Sequence, residues 1–302
     1  MSVSTTLKLD AELSVLREFL ADWVEKCDSE MKPMLEWQFG EGSKYFRPVT
    51  IFACFRSLGG GEITQKLIVS AAVLEMFHNV SLVIDDILDK SRTRRERTTL
   101  HCRFGNLQAL MASGFIVAQG YEQVAEDAHD VRLLSELLSR LGVAECMQWR
   151  LRRKPLGVSD WRQIAGEDTG TMFEVCACLG TRDEKLRHFG RLLGLLYHGC
   201  DDVADMREAK GLGGGGDADL RDGILTLPTA FALRDPKIAA MHEKPSDDNL
   251  DTLKQAVLAR LDEAEGYLDS IAEEARVEAM RHAKEPEILL ALINEVRGLS
   301  SE

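Results

Sequence analysis

The stretch AAVLEMFHNVSLVIDDILD, residues 71–89, decides how the rest of the chain is read. Val73, Leu74, Met76, Phe77, Val80, Val83 and Ile84 recur at helical intervals, with too few polar residues between them for a solvated face. The segment predicts a helix over 66–88, buried on most sides, that ends on carboxylates. Asp85 and Asp89 stand four apart and share a face, with Asp86 on its shoulder. Three carboxylates this close repel one another and raise their own pKa values unless a cation stands among them. Aspartate oxygens are hard ligands, suited to magnesium that carries a phosphate-bearing molecule.

The pattern returns in LLGLLYHGCDDVAD, residues 192–205, where Asp201, Asp202 and Asp205 end a second apolar helix. One acidic turn is weak as a signal; two, each closing an apolar helix, are far harder to obtain by chance. If the two helices face each other across a bundle, the six carboxylates make a magnesium cage. Such a cage grips a diphosphate and draws it off an alkyl group.

Working outward, further helical stretches are predicted at 9–24, 107–125, 130–150, 161–179, 185–206, 224–232, 249–275 and 285–297. Asp10 and Asp130 fit N-caps, and Ser159 and Pro286 fit helix starts. Period-two alternation is scarce, so the fold class is all-α. A length of 302 residues matches two domains at roughly 150 residues each. The breaks at 59–61, 154–157, 211–216 and 236–245 are too short for interdomain linkers, and no solenoid repeat is present. The expectation is one domain over 1–302, a single large antiparallel helical bundle around a central cavity.

Thirty-seven basic against 50 acidic residues give a formal charge of −13. That excludes nucleic-acid binding through the net field, and an anionic ligand then requires local cations or metal ions. The seven cysteines are scattered without a CxxC, as in a reduced protein. Cys176, Cys178 and His188 have the wrong spacing for zinc and read as core. Glycines 213–216 lack the lysine and strand of a phosphate loop and read as a flexible lid. Trp23, Trp37 and Trp161 read as core or subunit interface. No apolar run is expected to reach the roughly 18 residues of a membrane span, so no stable membrane insertion is expected. The opening MSVSTTLKLDAEL lacks a signal-peptide pattern, which gives a cytoplasmic expectation.

These motifs resemble the trans-isoprenyl diphosphate synthases, the polyprenyl synthetase family. GSKYFRP (42–48) resembles the family's glycine-lysine-arginine-proline element. EMFHNVSLVIDDILDKSRTRRERTTLHCRFG (75–105) is similar to its first aspartate-rich region, and GDADLRDGILTLP (216–228) follows the second aspartate motif as the family requires. The resemblance implies head-to-tail condensation of an allylic diphosphate with isopentenyl diphosphate. Magnesium, in a three-ion cluster, would be held by Asp85, Asp86, Asp89, Asp201, Asp202 and Asp205, with catalysis resting on Asp85, Asp86, Asp89 and Arg94. It also implies isopentenyl diphosphate binding by Lys44, Arg47, Arg95 and His101, and allylic diphosphate binding by Arg94 and Thr169. Partners are then small prenyl diphosphates and a second copy in a homodimer.

The sequence departs from the family pattern at the allylic side. Asp168 and Ile224 stand where two lysines are expected, His198 where a glutamine is expected, and Phe115 where an aspartate follows glycine. At an effective dielectric near 20, each close charge pair is worth on the order of several kcal/mol before screening. Lys210, Arg207 or Arg221 could compensate. Otherwise the chain acts as a terpene cyclase on one prenyl diphosphate, or as a low-activity regulatory subunit. The isopentenyl-side cations favour prenyl transfer, because a cyclase has no use for them. Upstream of the first motif, Val80 and Ser81 are not aromatic and Phe77 lies one turn deeper as a floor, which implies geranylgeranyl diphosphate or a longer product.

Overall fold

A computed structural model describes residues 3–40, 43–94, 97–207 and 216–301. Arg95, Lys210 and glycines 213–215 of the sequence reading lie outside the described residues. The chain divides into two compact units, residues 1–138 with 176–184, and residues 139–175 with 185–302. Two of the dividing points fall inside the helices Ala128–Leu151 and Thr171–Thr181. The all-α expectation stands, with one small addition. Thr93–Arg94 and Arg97–Thr98 pair antiparallel, Thr93 opposite Thr98.

In the first unit the decisive stretch forms the helix Gln65–Leu88, capped by the Thr64 hydroxyl, which accepts from the Leu67 N–H at 3.3 Å. It packs on the helices Asp10–Lys26, Phe46–Ser57 and Asn106–Gln123. Leu74, Met76 and Phe77 are fully buried, each worth roughly 1.5–3 kcal/mol of apolar burial. This helix corrects the expectation about membrane-length runs. An 18-residue window of it is apolar enough to cross a membrane, yet 78% of that window is buried within the protein. Its apolarity serves a core.

Two expected caps also differ. Ala128–Leu151 begins before Asp130, because Asp127 accepts from the His129 and Asp130 N–H groups at 3.1 and 3.4 Å. Asp10 opens its helix, but its carboxylate takes the hydroxyls of Ser4 and Thr5 at 2.7 and 3.2 Å.

In the second unit the core helix is Arg187–Met206, packed by Leu261–His282, Glu287–Gly298 and Leu227–Ala232. The helix expected over 161–179 is Val158–Ala165, then a π-helical turn Gly166–Gly170, then Thr171–Thr181. Two glycines in GEDTG weaken the α ladder there, and the Thr171 hydroxyl closes the wider turn on Gly166 O at 3.3 Å. Gly194 lets this turn lie against the core helix, since a Cβ there would stand 2.7 Å from Gly170 Cα and Thr169 O. The stretch expected over 249–275 is two helices, Asp247–Leu258 and Leu261–His282. No glycine or proline marks that break, so periodicity runs straight through it.

Candidate active site

The first acidic segment closes the helix Gln65–Leu88. Asp85 is half-buried and Asp89, the C-cap residue, is exposed. Asp86 is buried, and its Oδ1 accepts from Arg94 Nε at 2.8 Å. Burial raises the pKa of Asp86, against the lowering influence of the Arg94 guanidinium and His101. Residues 91–94 and 97–99 lie against this helix end through Ser91 N–H to Asp86 O (3.0 Å) and Thr99 Oγ1 to Ser91 O (2.8 Å). Trp37 anchors the strand pair from below: its Nε1 donates to Thr98 O at 2.9 Å, and Arg97 and Arg103 stack on its ring at 4.1 and 3.7 Å. Trp37 is thus part of the scaffold of the arginine segment, a finer role than generic core.

Lys44 precedes, and Arg47 lies in, the first turn of Phe46–Ser57, and Tyr45 between them has a left-handed φ of 54°. Cations at a helix N-terminus oppose the helix dipole unless an anion joins them. His101 sits in the helix Leu100–Phe104, its Nδ1 buried without a hydrogen-bond partner and its Nε2 3.4 Å from Cys102 Sγ. Among the residues expected to form a floor, Phe77 and Val80 are buried, and Ser81 donates to His78 O at 2.8 Å. The Phe77 ring meets Tyr121 edge-on at 5.2 Å.

In the second unit Asp201 and Asp205 are half-buried at the end of Arg187–Met206. Asp202 Oδ2 accepts from Trp161 Nε1 and from the Leu227 N–H, each at 2.8 Å. His198 Nδ1 meets Thr169 Oγ1 at 2.9 Å and lies 3.7 Å from Asp168, while its Nε2 lies 3.8 Å from Asp202. Burial opposes a charge on His198, yet Asp202, Asp168, Asp201 and Asp219 together raise its pKa. Burial raises the pKa of Asp202 in turn, against His198 and the two N–H donors. Arg207 and Arg221, expected as compensating cations, are engaged elsewhere: Arg207 with Glu265 and Arg221 with Asp247, both at 2.6 Å.

The donor chemistry fits a hard divalent cation. In each segment the first and last aspartates stand four apart at a helix end, and none of those four side chains is fully buried. Asp86 and Asp202 each commit one oxygen to protein donors. A different acidic group, Asp127, His129 and Asp130, also brings its ligand atoms close together. Its carboxylates are already occupied by Arg182 at 2.6 and 2.7 Å and Lys66 at 2.8 Å, and Ser70 bonds Asp130. That cluster is a structural ion-pair network.

A sequence profile of the family described as polyprenyl synthetase matches residues 28–259. The chain belongs to the polyprenyl synthetase family. It is therefore a trans-prenyltransferase. It is 28% identical to solanesyl-diphosphate synthase 2, chloroplastic, of Oryza sativa subsp. japonica, over 85% of this chain and 71% of that protein. It is 25% identical to nonaprenyl diphosphate synthase of Mycobacterium tuberculosis, over 91% of this chain and 84% of the other. The fold is similar to that of heptaprenyl diphosphate synthase from Staphylococcus aureus, with a TM-score of 0.86, 20% identity, and 97% and 98% of the two chains covered. A polyprenyl synthase from Caulobacter crescentus CB15, complexed with calcium and isoprenyl diphosphate, also matches with a TM-score of 0.86 at 21% identity, over 100% of this chain and 98% of that one.

Within this polyprenyl synthetase the sequence reading missed three supporting groups. Trp161 and Tyr121 were legible only as apolar residues. The third is a part-buried charge network: Glu174 accepts from Arg140, Arg187 and Arg191 at 2.8, 3.3 and 2.8 Å, and Glu167 pairs with Arg140 and Arg191 at 3.0 and 3.2 Å. It clamps the π-helical turn that carries Asp168 and Thr169. The zinc reading of Cys176 and Cys178 fails on chemistry as well as spacing, because both are fully buried and burial pushes the Cys176 thiol up.

Proposed function

We propose that this chain condenses an allylic prenyl diphosphate with isopentenyl diphosphate, head to tail. Asp85 and Asp89 in the first acidic segment, and Asp201 and Asp205 in the second, would be the main magnesium ligands, with the second oxygens of Asp86 and Asp202 as further donors within their own segments. Magnesium, when bound, neutralises the charge that builds on the departing diphosphate. Arg94 and Thr169 contact the allylic diphosphate, whose C–O bond breaks with the electron pair leaving on oxygen. Lys44, Arg47, Arg95 and His101 hold isopentenyl diphosphate without metal. Its double bond attacks the allylic carbon, and a proton lost from the adjacent carbon restores a double bond. Apolar walls keep water from the cation.

The observation that carries this reading is the pair Lys44 and Arg47 at the N-terminus of Phe46–Ser57. Nothing in ionising a single prenyl diphosphate needs such an anion site. Calorimetric titration of isopentenyl diphosphate in EDTA tests it. Metal-independent binding that is lost in Lys44→Ala supports prenyl transfer, and no binding contradicts it.

With Val80 and Ser81 small and Phe77 deeper, the proposed product is geranylgeranyl diphosphate or longer. Magnesium acts as a three-ion cluster, and the protein works in the cytoplasm. A homodimer is supported by Leu107, Leu110 and Met111, which expose an apolar face of the helix Asn106–Gln123. A second reading, a cyclase or a low-activity subunit, is favoured by one observation: Asp168 beside Thr169 and His198, where a lysine is expected.

A further inference from the structure

Asp202 Oδ2 ties three helices together. Its two 2.8 Å donors are the indole of Trp161, in Val158–Ala165, and the backbone N–H of Leu227, the first residue of Leu227–Ala232; Asp202 itself belongs to Arg187–Met206. The fully buried Trp161 packs beside Gly199, one turn before Asp202. A Cβ at Gly199 would stand 2.5 Å from Leu268 Cδ2 and 3.1 and 3.2 Å from Trp161 Cζ2 and Cη2. The indole therefore lies across the core helix where a side chain would otherwise project. His198 and Tyr267 meet it edge-on, each at 6.1 Å. Rotating the end of the core helix about its axis would break the indole bond or drive the ring into position 199. Asp201 and Asp205 ride on the same turn as Asp202, so whatever fixes that rotation fixes their direction too.

We propose that Trp161 is a positioning residue for the second acidic segment: acting through Asp202, it sets the directions in which Asp201 and Asp205 present their oxygens to a divalent cation. This rests on the reading of Asp201 and Asp205 as metal ligands. Groups that orient ligands in this way typically govern metal affinity by about ten- to a hundred-fold.

The test uses Mn2+ alone as a paramagnetic probe of the full-length protein. Trp161→Phe keeps a ring against Gly199 and removes the N–H. Its Mn2+ dissociation constant should rise about ten-fold, the Mg2+ concentration for half-maximal turnover should rise with it, and the KM for isopentenyl diphosphate should stay unchanged. A folded Trp161→Phe protein whose Mn2+ affinity matches the wild type overturns the proposal. A second measurement needs no variant: in indole-15N-labelled wild type, the Trp161 N–H signal should broaden on adding Mn2+, and an unaffected signal overturns the proposal equally. Mn2+ binding weakened by Trp161→Phe in a protein that condenses nothing would sink the prenyl-transfer reading while leaving the positioning role intact. An active wild type with an unaltered Trp161→Phe would do the reverse.

Discussion

Arg94 Nε donates to Asp86 Oδ1 at 2.8 Å, joining the short strand pair to the end of the helix that carries the first acidic segment. Asp86 is 5% exposed at its side chain and Arg94 37%, so the pair is half in solvent and half in the core. Removing the arginine leaves a buried carboxylate without its charged partner, which costs more than removing both. A double-mutant cycle on Arg94→Ala and Asp86→Asn, read by urea unfolding, should give a coupling of about 1–2 kcal/mol. Strict additivity would show that the bond contributes nothing to holding the segment.

Product length should follow Phe77. The ring is pinned by Tyr121, whose hydroxyl meets Ser135 Oγ at 3.0 Å, and by Gly120, where a Cβ would lie 2.5 Å from Phe77 Cε1. Phe77→Ala should lengthen the product by at least one five-carbon unit, and Gly120→Ala should change the product distribution by displacing the same ring. Mass spectrometry of the products decides. Unchanged length in Phe77→Ala would remove Phe77 as the floor.

Asp168 places a carboxylate where the family pattern has a cation, 3.7 Å from His198. Asp168→Lys should lower the KM for the allylic diphosphate about ten-fold, equivalent to roughly 1.4 kcal/mol of added attraction, and leave the KM for isopentenyl diphosphate alone. Steady-state kinetics with each substrate varied in turn measures both. A rise in allylic KM would mean that Asp168 has an attractive role of its own.

His242 offers a stability test away from the candidate site. It is fully buried, and neither ring nitrogen has a partner. Burial, with Arg153 nearby, pushes its pKa down from 6.5 to about 4. The native state therefore keeps it neutral. Above the unfolded value near pH 6.5 it exerts no pH-dependent penalty. As pH falls from there to about 4 the unfolded chain takes up the proton first and the native state loses roughly 3 kcal/mol. Urea unfolding at pH 7 and pH 4.5 should show a smaller acid loss in His242→Leu than in the wild type; equal losses would place the acid sensitivity elsewhere.

The helices and the acidic helix ends were legible because both are local: apolar spacing and carboxylate spacing lie within a few turns of one segment. The π-helical turn at Gly166–Gly170 was not, since its geometry depends on Gly194 of another helix and on the Arg191 guanidinium packed against Gly166. The same holds for Trp161, whose function is set by Asp202 and Gly199, far along the chain. Arg207 and Arg221 show the same limit for charge. Sequence proximity to the second acidic segment made them candidate cations, but Glu265 and Asp247 already hold them. Charge is readable from sequence, but its partner is not.

The most direct measurement is the mass of what the purified protein makes from magnesium, farnesyl diphosphate and isotopically labelled isopentenyl diphosphate. Prenyl transfer requires a diphosphate longer than farnesyl diphosphate that carries the label in every added five-carbon unit. An unlabelled hydrocarbon or alcohol formed from farnesyl diphosphate alone, or no product at all, would contradict it.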